Sequence, residues 1–455
     1  MKRIAHLVAV VIAVVPGAAG AQSWSELHTL TFIPAGLARS TAAEPVGSAG
    51  GVSGEPSDES PDPSPERVIA RIQAAGAAIE AERAANGENS IELVPLFESL
   101  ADIYLEVSGY GDAIAALEQA QQVIRRHHGL YSLDQARPIE RIIEIEMSLR
   151  PSEESIELES YLRELVQRNP GDPRNPEILT KMAGRQMEVA RHVLIHGVPP
   201  QFSLNVNVGV GPSLPGVSSR RTTRSVAASM LRQARFNYGS AILTAMFDDQ
   251  ASLSQLFELE DSIIDSYYFE LMNPGLNDGG SSYWGNAGRL YSGAIRALGA
   301  RLRNIRNYSG APEAVAAALI ETADWHLMFG SFGRAMGIYE QALADIRAEG
   351  AGEERITAMF SPEQPVPLPA VASNANVFHA LRDVQGYFDV EIEINRFGGV
   401  RDVTITGRSP NASDSIERRL RKFVYQSRFR PRYVDGEWLT TDRFAMRYEF
   451  GYSSS

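Results

Sequence analysis

The sequence contains no cysteine. This absence excludes disulfide bridges, thiolate ligands for a metal, a cysteine nucleophile and the lipidated cysteine of a lipoprotein. Positive charge is also in short supply, because 43 Lys and Arg residues oppose 56 Asp and Glu residues, for a net charge of −13. That balance argues against general binding to nucleic acid or to an anionic membrane surface.

Long apolar runs are missing too, and the one near the start has the pattern of a secretory signal peptide. Basic residues at positions 2 and 3 precede the short apolar run Leu7–Val15, and the small residues Ala19-Gly20-Ala21 stand before Gln22. No later stretch approaches the roughly 18 apolar residues that a membrane span requires. We therefore expect residues 1–21 to be cleaved and the mature chain to be exported.

A chain of 455 residues is too long for one hydrophobic core, so several domains are expected. Residues 22–39 show no sustained periodicity, and residues 40–66 are rich in Ser, Pro, Gly, Ala and Glu. This composition predicts a disordered linker over residues 22–66. A second linker is predicted over residues 351–371, which contain four prolines between positions 362 and 369.

Between these linkers, residues 67–350 are predicted to be helical, and two segments there resemble tetratricopeptide repeats. The first carries the signature spacing at Phe97, Leu100, Ala101, Tyr104, Tyr110, Ala113, Leu117 and Ala120. The second carries it at Leu319, Ala323, Gly330, Phe332, Ala335, Tyr339 and Ala342. Small residues at such positions let two helices approach closely, while aromatic residues fill the space between them.

Other helices of this region are expected at 154–168, 175–196, 223–247, 252–272 and 286–306. Degenerate repeats would account for them, and an ordinary helical bundle is the alternative.

The C-terminal stretch has a different period. Apolar residues alternate with polar ones from Phe388 to Ile394, which is typical of a strand with one buried face. A Gly-Gly turn, a second strand, a helix opening at Asp414 and a last alternating strand that closes on Phe450 follow. Residues 372–455 are therefore predicted to form a small α+β domain, an antiparallel sheet covered by one helix.

This order of elements resembles the TonB C-terminal domain family. The landmarks are a glycine turn after the first strand (Gly398-Gly399), a serine loop at Ser409, the acidic residue at Asp414, the aromatic-x-Pro sequence Phe429-Arg430-Pro431 and a loop glycine at Gly436. One departure is Tyr425, because the family usually places an aromatic residue immediately before the Phe-x-Pro sequence.

The resemblance implies that the domain holds an extended segment of a partner, as the family does with the periplasmic segment of outer-membrane transporters. An extended peptide can add to an exposed sheet edge as a further strand. By resemblance, the last strand is the expected docking edge, and its residues are Arg443, Phe444, Ala445, Met446, Arg447, Tyr448, Glu449 and Phe450. A homodimer formed through the same edge is also expected to be accessible.

A basic run lies on and just after the predicted C-terminal helix. Its members are Arg418, Arg419, Arg421, Lys422, Arg428, Arg430 and Arg432. A solvated helix face explains such a run, and a patch that meets an acidic partner or a phosphate is the alternative.

No catalytic constellation is visible in the sequence. His192 and His196 are four residues apart, but the sequence HVLIH lacks the glutamate of an HExxH zinc motif. Glu258, Glu260 and Asp261 fall on predicted helix faces without a visible acid–base partner. We therefore expect no catalytic residues, no cofactor and no metal.

Together these features predict a non-enzymatic periplasmic protein: a tetratricopeptide-like helical region followed by a TonB-like interaction domain that docks to an outer-membrane or envelope protein. The alternative is a TonB-type energy transducer held in the inner membrane by an uncleaved N-terminal segment, which would then be the chain's membrane contact. A third reading is an envelope hydrolase that uses the repeats as a substrate platform. No nucleic-acid partner is expected.

Overall fold

The computed structural model describes residues 29–34, 65–149, 153–196, 219–246, 253–272, 276, 283–350, 353–360, 364–369 and 383–453. Within these ranges the chain is mostly helical and ends in a small antiparallel sheet, as the sequence predicts. The predicted signal peptide and most of the predicted linker over residues 22–66 lie outside the described residues.

Thirteen helices lie within the described ranges. They are α1 (Pro65–Asn86), α2 (Leu93–Glu106), α3 (Tyr110–His128), α4 (Ala136–Leu149), α5 (Glu153–Arg168), α6 (Asn175–His196), α7 (Ser219–Met246), α8 (Leu253–Met272), α9 (Tyr283–Asn304), α10 (Pro312–Met328), α11 (Phe332–Ala348), α12 (Glu353–Met359) and α13 (Asp414–Gln426). The five helices expected between the two repeat-like segments are all present, with ends within four residues of those predicted. No helix in the described part of the chain is both long enough and apolar enough to cross a bilayer.

From α1 to α11, each helix packs against the next one along the chain, so the helical body is built from neighbours in sequence. Small residues are buried where the helices of the two repeat-like segments pack together. Ala101 on α2 and Ala113 on α3 are fully buried, as are Ala323 on α10 and Ala335 on α11. Alanine at these positions allows close approach of the helix backbones, which is what the spacing predicted.

Eight strands are found in the described residues. They are β1 (Thr29–Pro34), β2 (Val366–Leu368), β3 (Asp383–Ile394), β4 (Val400–Arg408), β5 (Arg428–Arg430), β6 (Arg432–Val434), β7 (Glu437–Leu439) and β8 (Thr441–Ser453). The main sheet is antiparallel and has the order β1-β8-β3-β4, while β2 pairs with β5 and β6 pairs with β7.

One face of the main sheet is buried against α13. The alternating side chains of β3, from Phe388 to Ile394, are at most 3% exposed and contact Leu420 and Val424 of the helix. Phe429 of β5 and Phe450 of β8 complete this core. The period of two in the sequence is therefore the consequence of one dry face and one wet face.

The β3–β4 turn requires glycine at position 398. Gly398 has a φ of +79°, and a Cβ atom there would lie only 1.9 Å from the carbonyl oxygen of Phe429. The amide of Phe429 donates a hydrogen bond to the Gly398 carbonyl at 2.9 Å. This close approach joins the turn to β5, and so fixes where the aromatic-x-Pro sequence lies.

The prediction of an extended linker over residues 351–371 is wrong. Glu353–Met359 form helix α12, and Val366–Leu368 form strand β2, which pairs with Arg428–Arg430 of β5. Proline is compatible with such a short outer strand, because Pro367 needs no ladder donor on a side that faces away from its partner. Composition alone could not reveal the pairing, since β5 lies some sixty residues further on.

The prediction of disorder over residues 22–66 is also wrong in one place. Thr29–Pro34 form strand β1, which pairs with Tyr448–Ser453 of β8. The segment has too little local periodicity to predict a strand by itself. Its conformation depends on a backbone partner more than four hundred residues away.

The helical body and the sheet domain are joined by a buried ion pair. Arg430 of β5 donates from Nε to both carboxylate oxygens of Asp324 on α10, at 3.1 Å each, and a further short hydrogen bond comes from Nη2. The hydroxyl of Tyr339 on α11 donates to the same carboxylate. Burial by itself lowers the pKa of Arg430, but the Asp324 carboxylate more than compensates, so that the pKa is raised. The guanidinium is therefore charged whenever the domains are joined.

Aromatic rings surround this ion pair. Tyr433 of β6 and Trp438 of β7 pack edge to face, with 4.9 Å between ring centroids, and both rings contact Phe360, the residue that follows α12. Tyr339 lies 5.8 Å from Trp438, and Arg347 of α11 donates to the Tyr433 hydroxyl at 2.6 Å. The sheet domain is thus packed onto α10, α11 and α12 rather than suspended on a spacer.

Replacing Arg430 with methionine is expected to lower the free energy of unfolding by about 3 kcal/mol, because the Asp324 carboxylate would stay buried without its cation. Denaturant unfolding followed by circular dichroism measures the change. The double variant R430M with D324L should recover much of the loss, since no unpaired charge is then left inside. The exposed ion pair of Arg408 with Asp414 gives the control, because R408M removes a guanidinium that water already solvates. Equal effects of R430M and R408M would contradict the assignment of Arg430 as the joining residue.

Candidate partner-binding surface

The predicted docking strand lies inside the sheet. β8 pairs with β3 along most of its length and with β1 on its other side, from Tyr448 to Ser453. The prediction that Arg443–Phe450 form a free edge is therefore wrong for Tyr448–Phe450, which have a strand on both sides. From Thr441 to Arg447, the side of β8 away from β3 faces no strand in the described sheet.

The side chains of the open part of β8 alternate between the two faces. Phe444 and Met446 are half-buried and pack against the sheet core. Arg443, Ala445 and Arg447 are exposed on the opposite face. A strand added here would therefore meet one apolar face and one polar face.

The polar face is organised by Arg447. Its guanidinium makes two hydrogen bonds to Asp389 of β3, at 2.7 and 3.0 Å, and lies 4.1 Å from the centre of the Tyr387 ring. Hydrogen bonding to Asp389 raises the pKa of Arg447. The pair fixes an exposed side chain across two strands, so a strand next to β8 meets an ordered polar surface.

The opposite border of the described sheet is covered. β4 is the outermost strand there, and α13 lies against it. Arg421 of the helix donates to the carbonyl oxygen of Val403 at 2.5 Å, and the Tyr425 hydroxyl donates to Asp402 at 3.2 Å. A side chain that occupies a strand carbonyl hinders the addition of another strand. The hydrogen bond to Asp402 also gives Tyr425, the displaced aromatic residue, a structural role.

The basic run does not form one patch. Arg430 belongs to the buried pair with Asp324, and Arg428 is half-buried with its guanidinium 5.3 Å from the Phe332 ring. Arg418, Arg419 and Lys422 are exposed on α13. The solvated-face interpretation therefore suits these three, while the residues after the helix pack against the helical body.

The structure brings together acidic side chains that the sequence left without partners. Glu260 of α8 is 4% exposed and accepts a hydrogen bond from Asn304 of α9 at 2.6 Å. Arg301 of α9 bridges Asp261 and Glu321, with both nitrogen–oxygen distances at 2.7 Å. These contacts link α8, α9 and α10. We refer to Glu260, Asp261, Arg301 and Glu321 together as the carboxylate network. Periodicity could not predict it because its members come from three helices that are separate in the sequence.

Two carboxyls of this network titrate near neutral pH. Burial raises the pKa of Glu260 to about 7, and burial also raises the pKa of Glu321 to about 7. Burial raises the pKa of Asp261 as well. All three carboxyls contact amide or guanidinium groups, and the described residues hold no cluster of three or more His, Asp or Glu side chains arranged to bind a metal.

The histidine pair is described only in part. His192 lies on α6 and is half-buried, while the side chain of His196 lies outside the described residues. A different histidine, His326 on α10, is buried and lies 2.7 Å from the Tyr291 hydroxyl. Burial lowers the pKa of His326, which favours the neutral form of the ring.

The carboxylate network predicts that stability falls as the pH rises from about 4.5 to about 7. In this window the folded chain binds more protons than the unfolded chain, because the folded pKa values of Glu260 and Glu321 exceed the model-compound value of 4.5. The contribution is fully present below pH 4.5 and is lost as the pH passes the folded values. Urea unfolding at several pH values measures the free energy of unfolding as a function of pH. This free energy should fall less steeply with rising pH in E260Q and in E321Q than in the natural chain. E258Q, which alters an exposed carboxylate on the same helix, serves as the control. If the pH dependence of the free energy of unfolding were the same in all three variants as in the natural chain, the assignment of this dependence to Glu260 and Glu321 would be refuted.

No family model matches the chain, and no curated protein matches it in sequence.

Proposed function

We propose that this chain is a non-enzymatic envelope protein whose C-terminal domain, TonB-like in its order of elements, binds an extended segment of a partner by strand addition. The helical body, with its tetratricopeptide-like helix pairs, acts as the scaffold that presents this domain. The partner class is an outer-membrane or other envelope protein.

The observation that carries the proposal is the open side of β8 from Thr441 to Arg447. Backbone N–H and C=O groups on an unpaired strand side are available to an added strand. The other border, β4, is covered by α13 through Arg421 and Tyr425. One accessible side and one covered side suit a domain that receives a strand at a defined place.

The landmark residues support the TonB-like reading through their contacts. The Ser409 hydroxyl accepts a hydrogen bond from the Tyr387 amide at 3.0 Å, and a Cβ at Gly386 would lie 2.2 Å from it. Phe429 is fully buried in the sheet core. Each landmark thus meets a local physical requirement, as expected where the same arrangement of strands and helix recurs.

The two repeat-like segments support the tetratricopeptide-like reading because their turns share two backbone hydrogen bonds. Ser108 donates to the Leu105 carbonyl and Gly330 donates to the Leu327 carbonyl, at 3.0 and 2.9 Å. The next amides, Gly109 and Ser331, donate to the carbonyls five residues before them, at 2.8 and 2.9 Å. Ser108 and Gly330 both have positive φ, of 58° and 76°. The left-handed conformation costs a residue with a Cβ roughly 1–2 kcal/mol. Ser108 adopts it in the turn that joins α2 to α3.

Residue 445 provides the test of strand addition in the full chain. A photo-activated benzoylphenylalanine in place of Ala445, on the exposed face of the open part of β8, should cross-link to one envelope protein in intact cells. The same group in place of Lys422, exposed on α13, is the matched control and should give no such product. Mass spectrometry of the cross-linked peptide should locate the contact in an extended segment of the partner. Absence of a product specific to position 445 would refute the proposal.

Export is the second part of the proposal, and the pattern of residues 1–21 supports it. The expected mature chain begins at Gln22, and mass spectrometry of the native N-terminus measures this directly. A chain that retains Leu7–Val15 would instead favour the anchored energy transducer, in which this segment stays in the inner membrane.

A further inference from the structure

Strand β1 occupies part of the side of β8 that the proposed function assigns to a partner. Its six residues pair in antiparallel register from Thr29 opposite Ser453 to Pro34 opposite Tyr448. β1 pairs with no other strand of the described sheet. An intrinsic segment thus already makes the type of contact expected of a partner.

The ladder between β1 and β8 ends at a defined point. Pro34 is the last paired residue of β1, and proline has no N–H group with which to extend a ladder. Beyond it, Thr441–Arg447 remain open on that side in the described sheet. The same side of one strand is therefore divided into a segment filled by β1 and an adjoining open segment.

β1 is suited to leave the sheet. It is held by a single ladder, so its departure breaks no other strand pairing. Thirty residues separate Pro34 from the start of α1 at Pro65. By contrast, β8 also pairs with β3, and its Tyr448 and Phe450 lie in the sheet core.

We infer that Thr29–Pro34 is a resident strand of the docking site, which an incoming segment displaces in order to pair with the whole of β8. This inference rests on the proposed function and adds to it a competitor supplied by the chain itself. The incoming segment contacts Thr441–Arg447 first and then replaces β1 along Tyr448–Ser453.

The surface of β8 restricts the chemistry of the incoming segment. Apolar residues on one face of the segment would lie beside Phe444 and Met446, and acidic or hydroxyl residues on the other face would lie beside Arg443 and Arg447. Proline cannot donate to the ladder, so it is excluded where the segment's N–H must face β8. The partner segment is therefore extended, with apolar and acidic residues in alternation.

Occupation by β1 weakens binding by a factor equal to the reciprocal of the fraction of molecules whose site is open. The apparent dissociation constant equals the intrinsic constant divided by the fraction of molecules whose site is open. If about one molecule in ten lacks β1 at a given moment, a segment that needs the whole side binds about tenfold more weakly than to a vacant site.

Proline substitutions in β1 provide the test. Successive N–H groups along a strand point to opposite sides, so L30P and T31P in the full chain remove one N–H that faces β8 and one that faces away. The probe is a fluorescent synthetic peptide that covers residues 27–36 of this same sequence, and its affinity is measured by anisotropy. Thermal unfolding and circular dichroism check that both variants fold.

One of the two variants should bind the probe about tenfold more tightly than the natural chain, and the other should bind it as the natural chain does. Equal affinity of both variants and the natural chain would overturn the inference. The inference would also be overturned if light scattering showed that the natural chain is a dimer and that only the tighter-binding variant is a monomer. In that case β1 would come from a second copy of the chain.

The probe comes from the chain itself, so its result does not depend on an envelope partner. A specific cross-link at position 445 with no effect of either proline would preserve the proposed function and refute the resident strand. Tighter binding of the probe to one proline variant, without a specific cross-link at position 445, would refute the proposed partner and preserve the resident strand.

Discussion

The buried contact of Arg430 with Asp324 is the interaction on which the arrangement of this protein depends. It joins residues 106 positions apart and brings β5 against α10. A charge pair removed from water is stable only if its hydrogen bonds are complete, and here Tyr339 supplies a further donor to the carboxylate. Since β5 also pairs with β2 and is held to the Gly398 turn, this contact sets the position of the whole sheet relative to the helical body.

That position has a functional meaning. If the sheet hung on a spacer, a strand added to β8 would act on the sheet alone. Because Tyr433 and Trp438 pack against Phe360 and Tyr339, the sheet and the last helices form a continuous packed unit. The proposed partner at β8 would consequently be held in a fixed direction relative to the helical body.

Local patterns predicted much of the fold, since they depend on neighbours in sequence. The alternation from Phe388 to Ile394 predicted β3, and the apolar spacing of the body predicted helices with nearly correct ends. The short helix α12 inside the predicted linker was missed locally, and the other failures involve distant partners. β1 and β2 are strands because β8 and β5 pair with them, and the contact of Asp324 with Arg430 leaves no periodic signal in either segment. The candidate docking strand was proposed from the resemblance. Its pairing with β1 could not be predicted, because no pattern in residues 29–34 indicates which strand they pair with.

The position of β1 in the sheet has a consequence for the order of folding. Synthesis completes Thr29–Pro34 more than four hundred residues before the chain reaches Tyr448–Ser453, with which it pairs. Contacts between such distant segments form slowly, because the intervening chain must first become compact. The helical body can assemble from adjacent pairs while the last residues are still being made. The first strand of the sheet can pair with β8 only after the last residues have been made, so a newly made molecule passes through a stage in which this strand lacks its partner on β8.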